Sequence, residues 1–485
     1  MGIKKPLVSS QEKEKPPGQR SQNIHIYRHL TPQGLTISFG RKKYCINYPA
    51  KVWQEFPSVY HQSFADTLTY ALTIHLSFNS FQENKALTYH FPPPAIEPLI
   101  FKGMAYSLPE DIALKNELTT TDYLKLFFNV NQRINFTSRP HFGRFKNINH
   151  HYEKRALIPF TFGKDSLLSF ALTNELRIKP ILMFFREPRC AFENRHKYLL
   201  SKRFLKEFGL KVNFFPVTTG WLREINDSQT SWGWDLILTQ YTLFLLPFLF
   251  AYRTRYLFWA NEQSCNETFI DHEGYIINPV FEQNPQWLLN TNSALKVLGC
   301  RSIFASLVEP LHEIAITYIL HHRYPQIAKY QSSCFGEEKQ AKTRRWCSIC
   351  SKCARMYIFL KALGINPQKV GFSQSEKMLN QEKRHLYSLF NGGNGSSYDA
   401  SGLGKDEQLL AFYLAYKKGV KGELIAEFVK KHFAEAKKRE QELYQTFFSI
   451  HPPKTLNYEL KKPILKIFEE ELASLSLNRL KKTSL

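Results

Sequence analysis

Two short stretches carry residues whose types and spacing can do chemistry. The first is PFTFGKDSLLSFALTNEL, residues 159–176. The apolar run ALIPFTF enters Gly163-Lys164-Asp165-Ser166, and LLSFALTNEL then spaces its apolar residues as a helix does. A strand, turn and helix of this composition can cradle a phosphate. Gly163 lets the backbone approach the oxygens, the helix N-terminus offers unpaired N–H groups and a partial positive charge, and Lys164 adds a full one. Ser166 can donate a further hydrogen bond, and Asp165 can hold a magnesium ion that bridges phosphates. The alternative is an ordinary helix start with an Asp/Ser cap. The second stretch holds Cys334, Cys347, Cys350 and Cys353, half of the chain's eight cysteines. Thiolates two residues apart can share one metal ion, and four complete a closed tetrahedral zinc site with no open position, hence a structural one. A redox pair or an iron–sulfur cluster are the alternatives. The helix ARMYIFLKAL after Cys353 would be pinned by the metal.

The elements that must position these residues follow from the rhythm of the chain. Residues 1–22 are polar and basic, the composition of a disordered tail. Over 23–99 a mixed α/β N-terminal module is expected. IHIYRHL, LTISFG and KKYCINYP alternate like strands, FADTLTYALTIHLSF is spaced more like a helix, and PPPAIEP breaks the chain. Over 100–370 the apolar runs ALIPFTF, KPILMFF, KVNFFPV and YLFWAN are separated by helical stretches, which predicts an α/β domain with a parallel sheet. Residues 371–485 are helix-rich and charged, and GELIAEFVKKHFAEAKKREQELYQTFF reads as surface helix. Ligands in open α/β sheets sit at strand C-termini. Asn261 and Glu262, which end YLFWANE, are therefore candidate site residues, and so are Arg186 and Glu187, which end KPILMFF. Arg344 and Arg345 could clamp a pyrophosphate or carboxylate but read as surface residues beside the cysteine loop, and the histidines 150, 151, 312, 321 and 322 fit no ligand spacing with one another and read as ordinary histidines.

Composition narrows the class. The chain has 485 residues, 43% of them hydrophobic and 14% aromatic, which excludes a largely disordered protein. The formal charge of +23 favours an anionic partner such as nucleic acid or a phosphorylated substrate. Clustered thiols, with no apolar signal at the polar start, point to the reducing cytoplasm. LILTQYTLFLLPFLFAY (236–252) is short for a membrane span and is interrupted by Thr239, Gln240, Thr242 and Pro247. It is expected to be a buried helix feeding a buried strand.

Thr161-Phe162-Gly163-Lys164-Asp165-Ser166 resembles the Ser-Gly-Gly-x-Asp-Ser signature of the PP-loop ATP pyrophosphatases, whose loop follows the first strand of a Rossmann-like sheet. It matches at Gly163, Asp165 and Ser166, conservatively at Thr161, and departs at Phe162. A later cysteine cluster is similar to that of the cyano-deazaguanine synthases. A broader likeness is to the epimerase family that acts on UDP-N-acetylmuramoyl-L-alanyl-L-glutamate. FKGMAYSLPEDI, FWANEQS, SLVEPLHEIAI and SSCFGEE with RRWCSICSKCARMYIFLKAL resemble that family in order and spacing over roughly residues 95–420. The chain departs from it at Glu309, where the family tends to have Arg, and at Asp399-Ala400, where it has Glu-Cys-Val-Gly.

The resemblance implies ATP, Mg2+ and Zn2+ as cofactors and a UDP-muramoyl dipeptide as the anionic substrate. Gly163, Lys164 and Ser166, with Thr161, would hold the pyrophosphate, and Asp165 with Glu262 the magnesium. Arg186 and Asn261 would lie at the nucleotide, and Lys164, Asp165 and Glu262 would act in catalysis. The implied reaction is attack of a substrate carboxylate on the α-phosphate of ATP, then inversion of the adjacent carbon through loss of its proton. Two other readings stand beside it. One is a nucleobase- or tRNA-modifying PP-loop enzyme with RNA as partner, favoured by the charge. The other is a non-catalytic nucleotide-binding relative, favoured by Phe162 and the missing cysteine.

Overall fold

Alternating apolar and polar side chains build the first strands. In a computed structural model, β1 (Ile24–Thr31), β2 (Gly34–Phe39) and β3 (Lys42–Asn47) form an antiparallel meander whose Ile26, Leu35, Ile37, Tyr44 and Ile46 turn inward. The structure describes residues 23–78, 85–115, 119–139, 151–224, 233–334, 336–373, 377–391, 401–473 and 475. The tail 1–22, His150, and Asp399 with Ala400 lie outside them. Helix Ser58–Thr73 covers the meander. Two strands then add in parallel, β4 (Leu87–Tyr89) beside β1 and β5 (Ile134–Phe136) beside β4, giving the order β3-β2-β1-β4-β5. This sheet thus runs past the PPPAIEP break, and the architecture changes between β5 and the next strand rather than at residue 99.

The second sheet is wholly parallel. Its strands are β6 (Glu153–Pro159), β7 (Lys179–Arg186), β8 (Val212–Pro216), β9 (Thr254–Trp259) and, after a two-residue ladder of β10 (Phe269–Ile270) with β11 (Ile276–Ile277), β12 (Ile303–Ser306). Four of these are the apolar runs expected from the sequence, and β12 is a fifth. The order is β12-β9-β6-β7-β8. The chain therefore builds outward from β6 to β8, returns across the sheet, and builds the other way from β9. Between β6 and β9 the connections diverge to opposite sides, which opens a crevice at the carboxyl ends of these two strands.

Successive side chains of each strand enter two different cores, which is why these strands read as continuous apolar runs. Ala156, Ile158, Leu182, Phe184, Tyr256 and Phe258 belong to one core, with helices Lys164–Glu175, Glu313–Arg323 and Ser351–Ala362 and the C-terminal helices. Leu157, Met183, Phe185, Leu257 and Trp259 belong to the other, shared with the N-terminal module. Helix Ile237–Ala251 lies in that second core. Phe248 and Phe250 meet Tyr48 and Phe56 of the module, at ring separations of 5.6 and 5.3 Å. Burial on all sides explains why this helix is apolar all round. No helix among the described residues is long and apolar enough to cross a membrane.

GELIAEFVKKHFAEAKKREQELYQTFF forms three short helices, 423–431, 433–438 and 440–448, that bury Leu424, Phe428, Leu443 and Phe447 in the first core. Glu309 ties the C-terminal segment to the end of β12. Its carboxylate accepts hydrogen bonds from the backbone N–H groups of Lys454 (2.6 Å) and Thr455 (2.9 Å).

Candidate functional site

At the crevice, β6 ends at Pro159 and the chain turns through Thr161–Gly163 into helix Lys164–Glu175. Gly163 is the N-cap residue and has no side chain with which to cap, so the N–H groups of Lys164, Asp165 and Ser166 have no acceptor within the helix. A Cβ on Gly163 would sit 3.2 Å from Thr161 Oγ1 and 3.8 Å from Ser333 Oγ, which shows how closely the turn is approached. Ser166 donates from its hydroxyl to the Gly163 carbonyl at 3.1 Å. Phe162 has φ of 57° and is fully buried, with its ring 4.6 Å from Phe160 and 5.7 Å from Phe204. The large side chain therefore points into the core and does not line the cleft beside the loop. Its carbonyl accepts from the Ser332 N–H at 2.7 Å, joining the loop to the segment ahead of Cys334.

The cleft encloses about 330 Å³. Four carboxylates (Asp165, Glu193, Glu262, Glu313) and four cations (Lys164, Lys197, Lys352, Arg355) line it. Lys164 Nζ is 2.6 Å from Asp165 Oδ1 and 3.5 Å from Glu313 Oε2, and Arg355 Nε is 3.0 Å from the same Glu313 oxygen. Burial alone would discharge Lys164, but Asp165, Glu313 and Glu262 raise its pKa above the usual lysine range and keep it charged. Burial likewise works against Glu313, yet Arg355 and Lys164 hold its carboxyl down at about 2. Glu262 is pushed well above the usual carboxylate range, by burial first and by Glu313 next. The neighbouring acids are thus pushed in opposite directions, Glu313 toward its ionised form and Glu262 toward its protonated form. A divalent cation at Glu262 would displace that proton. Asp165 and Glu262 are oxygen donors of the kind magnesium takes, in the small number it uses when phosphates supply the rest of its shell.

Ser264 links this floor to a buried histidine. Its Oγ lies 3.4 Å from Glu262 Oε2 and 3.0 Å from His312 Nδ1. Burial lowers the His312 pKa to about 3, with His451 adding to the effect, so the ring is neutral. On the far wall Lys197 Nζ donates to the Ser332 carbonyl, and burial lowers its pKa to about 8.

The ligand atoms of Cys334, Cys347, Cys350 and Cys353 all lie within 4.8 Å of one another. Four sulfurs about 2.3 Å from a tetrahedral zinc stand about 3.8 Å apart, and Cys347 Sγ is 3.7 Å from Cys353 Sγ. Backbone N–H groups point at the sulfurs, from Gly336 and Cys347 to Cys334 and from Cys353 to Cys350, each at 3.4 Å. Such donors stabilise thiolates. The cluster can hold a metal ion such as zinc. Cys350 is also the N-cap of helix Ser351–Ala362, so a metal there fixes the start of that helix.

The structure brings Thr161, Gly163, Lys164, Asp165 and Glu262 together around one cleft. Ser166 stands behind the turn. Asn261 faces elsewhere, lining a small gap with Glu282 and Trp287, and its carbonyl accepts from Ser306 Oγ at 2.5 Å. Arg186 is exposed at the end of β7 and is not among the cleft's lining residues. Glu187 is buried and pairs with Arg223 at 2.5 Å and with the Tyr241 hydroxyl at 2.6 Å. Arg345 donates to the carbonyls of Lys329 and Gln331 and so braces the cysteine loop rather than facing solvent. Glu193, Lys197, Glu313, Ser332, Ser333, Lys352 and Arg355 escaped the sequence reading. Glu313 had a signal, being the last residue of SLVEPLHE just beyond a strand. The others stand on helix faces or loops whose orientation depends on tertiary packing.

No family model matches the chain, and no curated protein or solved structure was found to be similar to it.

Proposed function

We propose that the chain is a PP-loop ATP pyrophosphatase, on a Rossmann-like sheet, that activates a substrate carboxylate with release of pyrophosphate and AMP. One observation carries this reading. The uncapped, glycine-led N-terminus of helix Lys164–Glu175 opens into a 330 Å³ cleft at the point where the strand order reverses, and a buried lysine and carboxylates stand beside it. The open N–H groups of residues 164–166 and the charge of Lys164 bind pyrophosphate oxygens. Asp165 and Glu262 hold magnesium, which neutralises charge on the phosphates. Glu313 and Arg355 keep Lys164 and Glu262 in place. Zinc in the four-cysteine site is structural and stabilises the wall formed by residues 332–356.

The narrower reading, resting on the resemblance, is epimerisation of the L-Glu in a UDP-muramoyl-L-Ala-L-Glu precursor. Adenylation removes the carboxylate's charge and acidifies the neighbouring C–H; a base takes the proton, a proton returns from the opposite face, and water cleaves the acyl-adenylate to release AMP. The test is release of pyrophosphate and AMP from Mg·ATP with this dipeptide, with deazaguanine precursors and with tRNA. Deuterium uptake at the glutamate α-carbon in heavy water is the mark of epimerisation. AMP without deuterium uptake keeps the ATP reading and discards the epimerase. Asp165→Asn should weaken Mg·ATP binding about tenfold or more, since a charge-assisted contact is lost, while the chain stays folded. Unchanged affinity would place the nucleotide elsewhere.

A further inference from the structure

The first sheet buries one face and leaves the other open. Arg28 turns inward to Asp66 of the covering helix, while its neighbours His25, Tyr27 and His29 are exposed on the opposite side of β1. Two of these rings gather with that of His90, which follows β4. Tyr27 and His90 stack at 4.0 Å with an interplanar angle of 11°, and His25 stands 5.1 Å from His90. Strand pairing continues the patch across the sheet. Tyr27 faces Ser38 of β2, and Ser38 faces Lys43 of the edge strand β3, so the three lie in one row on the open face. Thr88 and Asn135 form a second row with His25. At the edge, Thr218 Oγ1 donates to the Cys45 carbonyl and fastens the short helix Thr218–Glu224 alongside β3. An open groove of about 660 Å³ lies there, lined among others by Lys42, Lys43 and Trp221. The Trp221 indole is 47% exposed, and the Arg189 guanidinium stands 5.9 Å from its ring centre.

The charge on this surface has one sign. Residues 23–49, 85–94 and 133–139 hold all five strands and contain no Asp or Glu, while Arg41, Lys42, Lys43 and Arg139 are exposed. Lysines on an edge strand keep it from pairing with another chain. That role accounts for Lys42 and Lys43, but not for exposed rings two strands away or for a tryptophan beside the lysines. Flat rings that stack on bases, with cations and no carboxylates to repel phosphates, are the chemistry that recognises a single strand of nucleic acid. In a duplex the bases already stack on one another, and such rings have nothing to take. We infer that the open face of the first sheet, with the groove at its β3 edge, binds a single strand of nucleic acid. Bases stack on Tyr27, His90 and Trp221, and Arg41, Lys42 and Lys43 hold the phosphates. The inference stands apart from the ATP reading, since none of these residues lines the cleft.

The test titrates full-length protein into a short fluorescent oligouridylate, read by anisotropy over a series of salt concentrations, with an RNA duplex of the same length beside it. The single strand should bind more tightly than the duplex. Tyr27→Ala with His90→Ala should weaken the single strand about fivefold or more, the loss of one stacked base, and leave the salt dependence as in the parent. Lys42→Ala with Lys43→Ala should make the slope of log affinity against log salt shallower by about 1.4, the effect of two phosphate contacts on a single strand. A single strand held no better than the duplex, or held by the ring variant as by the parent, reduces the surface to the general attraction of a chain of charge +23 and overturns the inference. So does a strand that does not bind, and so does an unchanged slope in the lysine variant. If the ring variant melts early, Tyr27→Leu and Trp221→Leu each remove a stacking ring and keep an apolar side chain, and unchanged affinity in both overturns the inference equally. The outcome of Mg·ATP binding leaves this comparison unaffected.

Discussion

Phe162→Gly gives the sharpest test of how the loop is built. The substitution restores the small residue of the PP-loop signature, and if the phenylalanine crowded the phosphate site it should improve nucleotide binding. The structure gives the opposite expectation. The ring is fully buried against Phe160 and Phe204, and removing such a ring costs about 3–5 kcal/mol. Against that, φ of 57° is a left-handed conformation that costs a side-chain-bearing residue about 1–2 kcal/mol and glycine almost nothing. The greater freedom of glycine in the unfolded chain takes back part of this relief. The net effect is a loss of about 2–4 kcal/mol, which lowers the melting temperature of a domain of this size by roughly 5–15 °C. Differential scanning fluorimetry and Mg·ATP calorimetry below the transition check both halves. Phe162→Leu, which keeps most of the volume, should lose less stability than Phe162→Gly. Unchanged or raised stability together with tighter ATP binding would place the ring in the cleft and refute the argument.

Cys350→Ser removes both a metal ligand and the cap of helix Ser351–Ala362. Metal analysis should show the zinc content fall from about one per chain, and the melting temperature should drop, because binding energy at a structural site is folding energy. A parent protein without metal, or a variant as stable as the parent, contradicts the assignment. His312 gives a pH signature. Its pKa is lowered from 6.5 to about 3 in the folded chain, so its contribution to stability is complete above pH 6.5 and is lost as the pH falls toward 3. Over that window the unfolded chain binds the extra proton, and stability should fall by up to about 1.4 kcal/mol per pH unit from this group. Urea denaturation at pH 7, 6 and 5 should show a shallower decline in His312→Asn than in the parent, and equal slopes would mean that the ring is not held neutral.

Much of this architecture was legible because it depends on neighbours in sequence. The alternation of IHIYRHL, LTISFG and KKYCINYP specified a meander, and β6 to β9 announced themselves as apolar runs because both of their faces are buried. The Gly163–Ser166 turn and the cysteine spacing place their residues within one or two turns of chain, so residue type and spacing alone implied what each could bind. β12 was missed because IFAS is four residues long and lacks a distinctive pattern. The extent of the first sheet was missed as well, since β5 joins it through a parallel pairing with β4 across a long stretch of intervening chain, Ile134 facing Leu87.

The sequence by itself determined the residue chemistry of two short segments, a glycine-led turn into a helix start and a four-cysteine cluster, because backbone geometry there is set locally. Only the tertiary structure decided that they share one cleft. Glu313 reaches Lys164 from a helix 149 positions further along, and Ser332 meets the loop through a hydrogen bond to the Phe162 carbonyl. It also decided that Phe162 faces the core, that Asn261 and Arg186 stand outside the cleft, and in which direction each of two buried glutamates is shifted. Those outcomes depend on charges and surfaces brought together from distant parts of the chain, where desolvation makes each partner's position matter more than its identity.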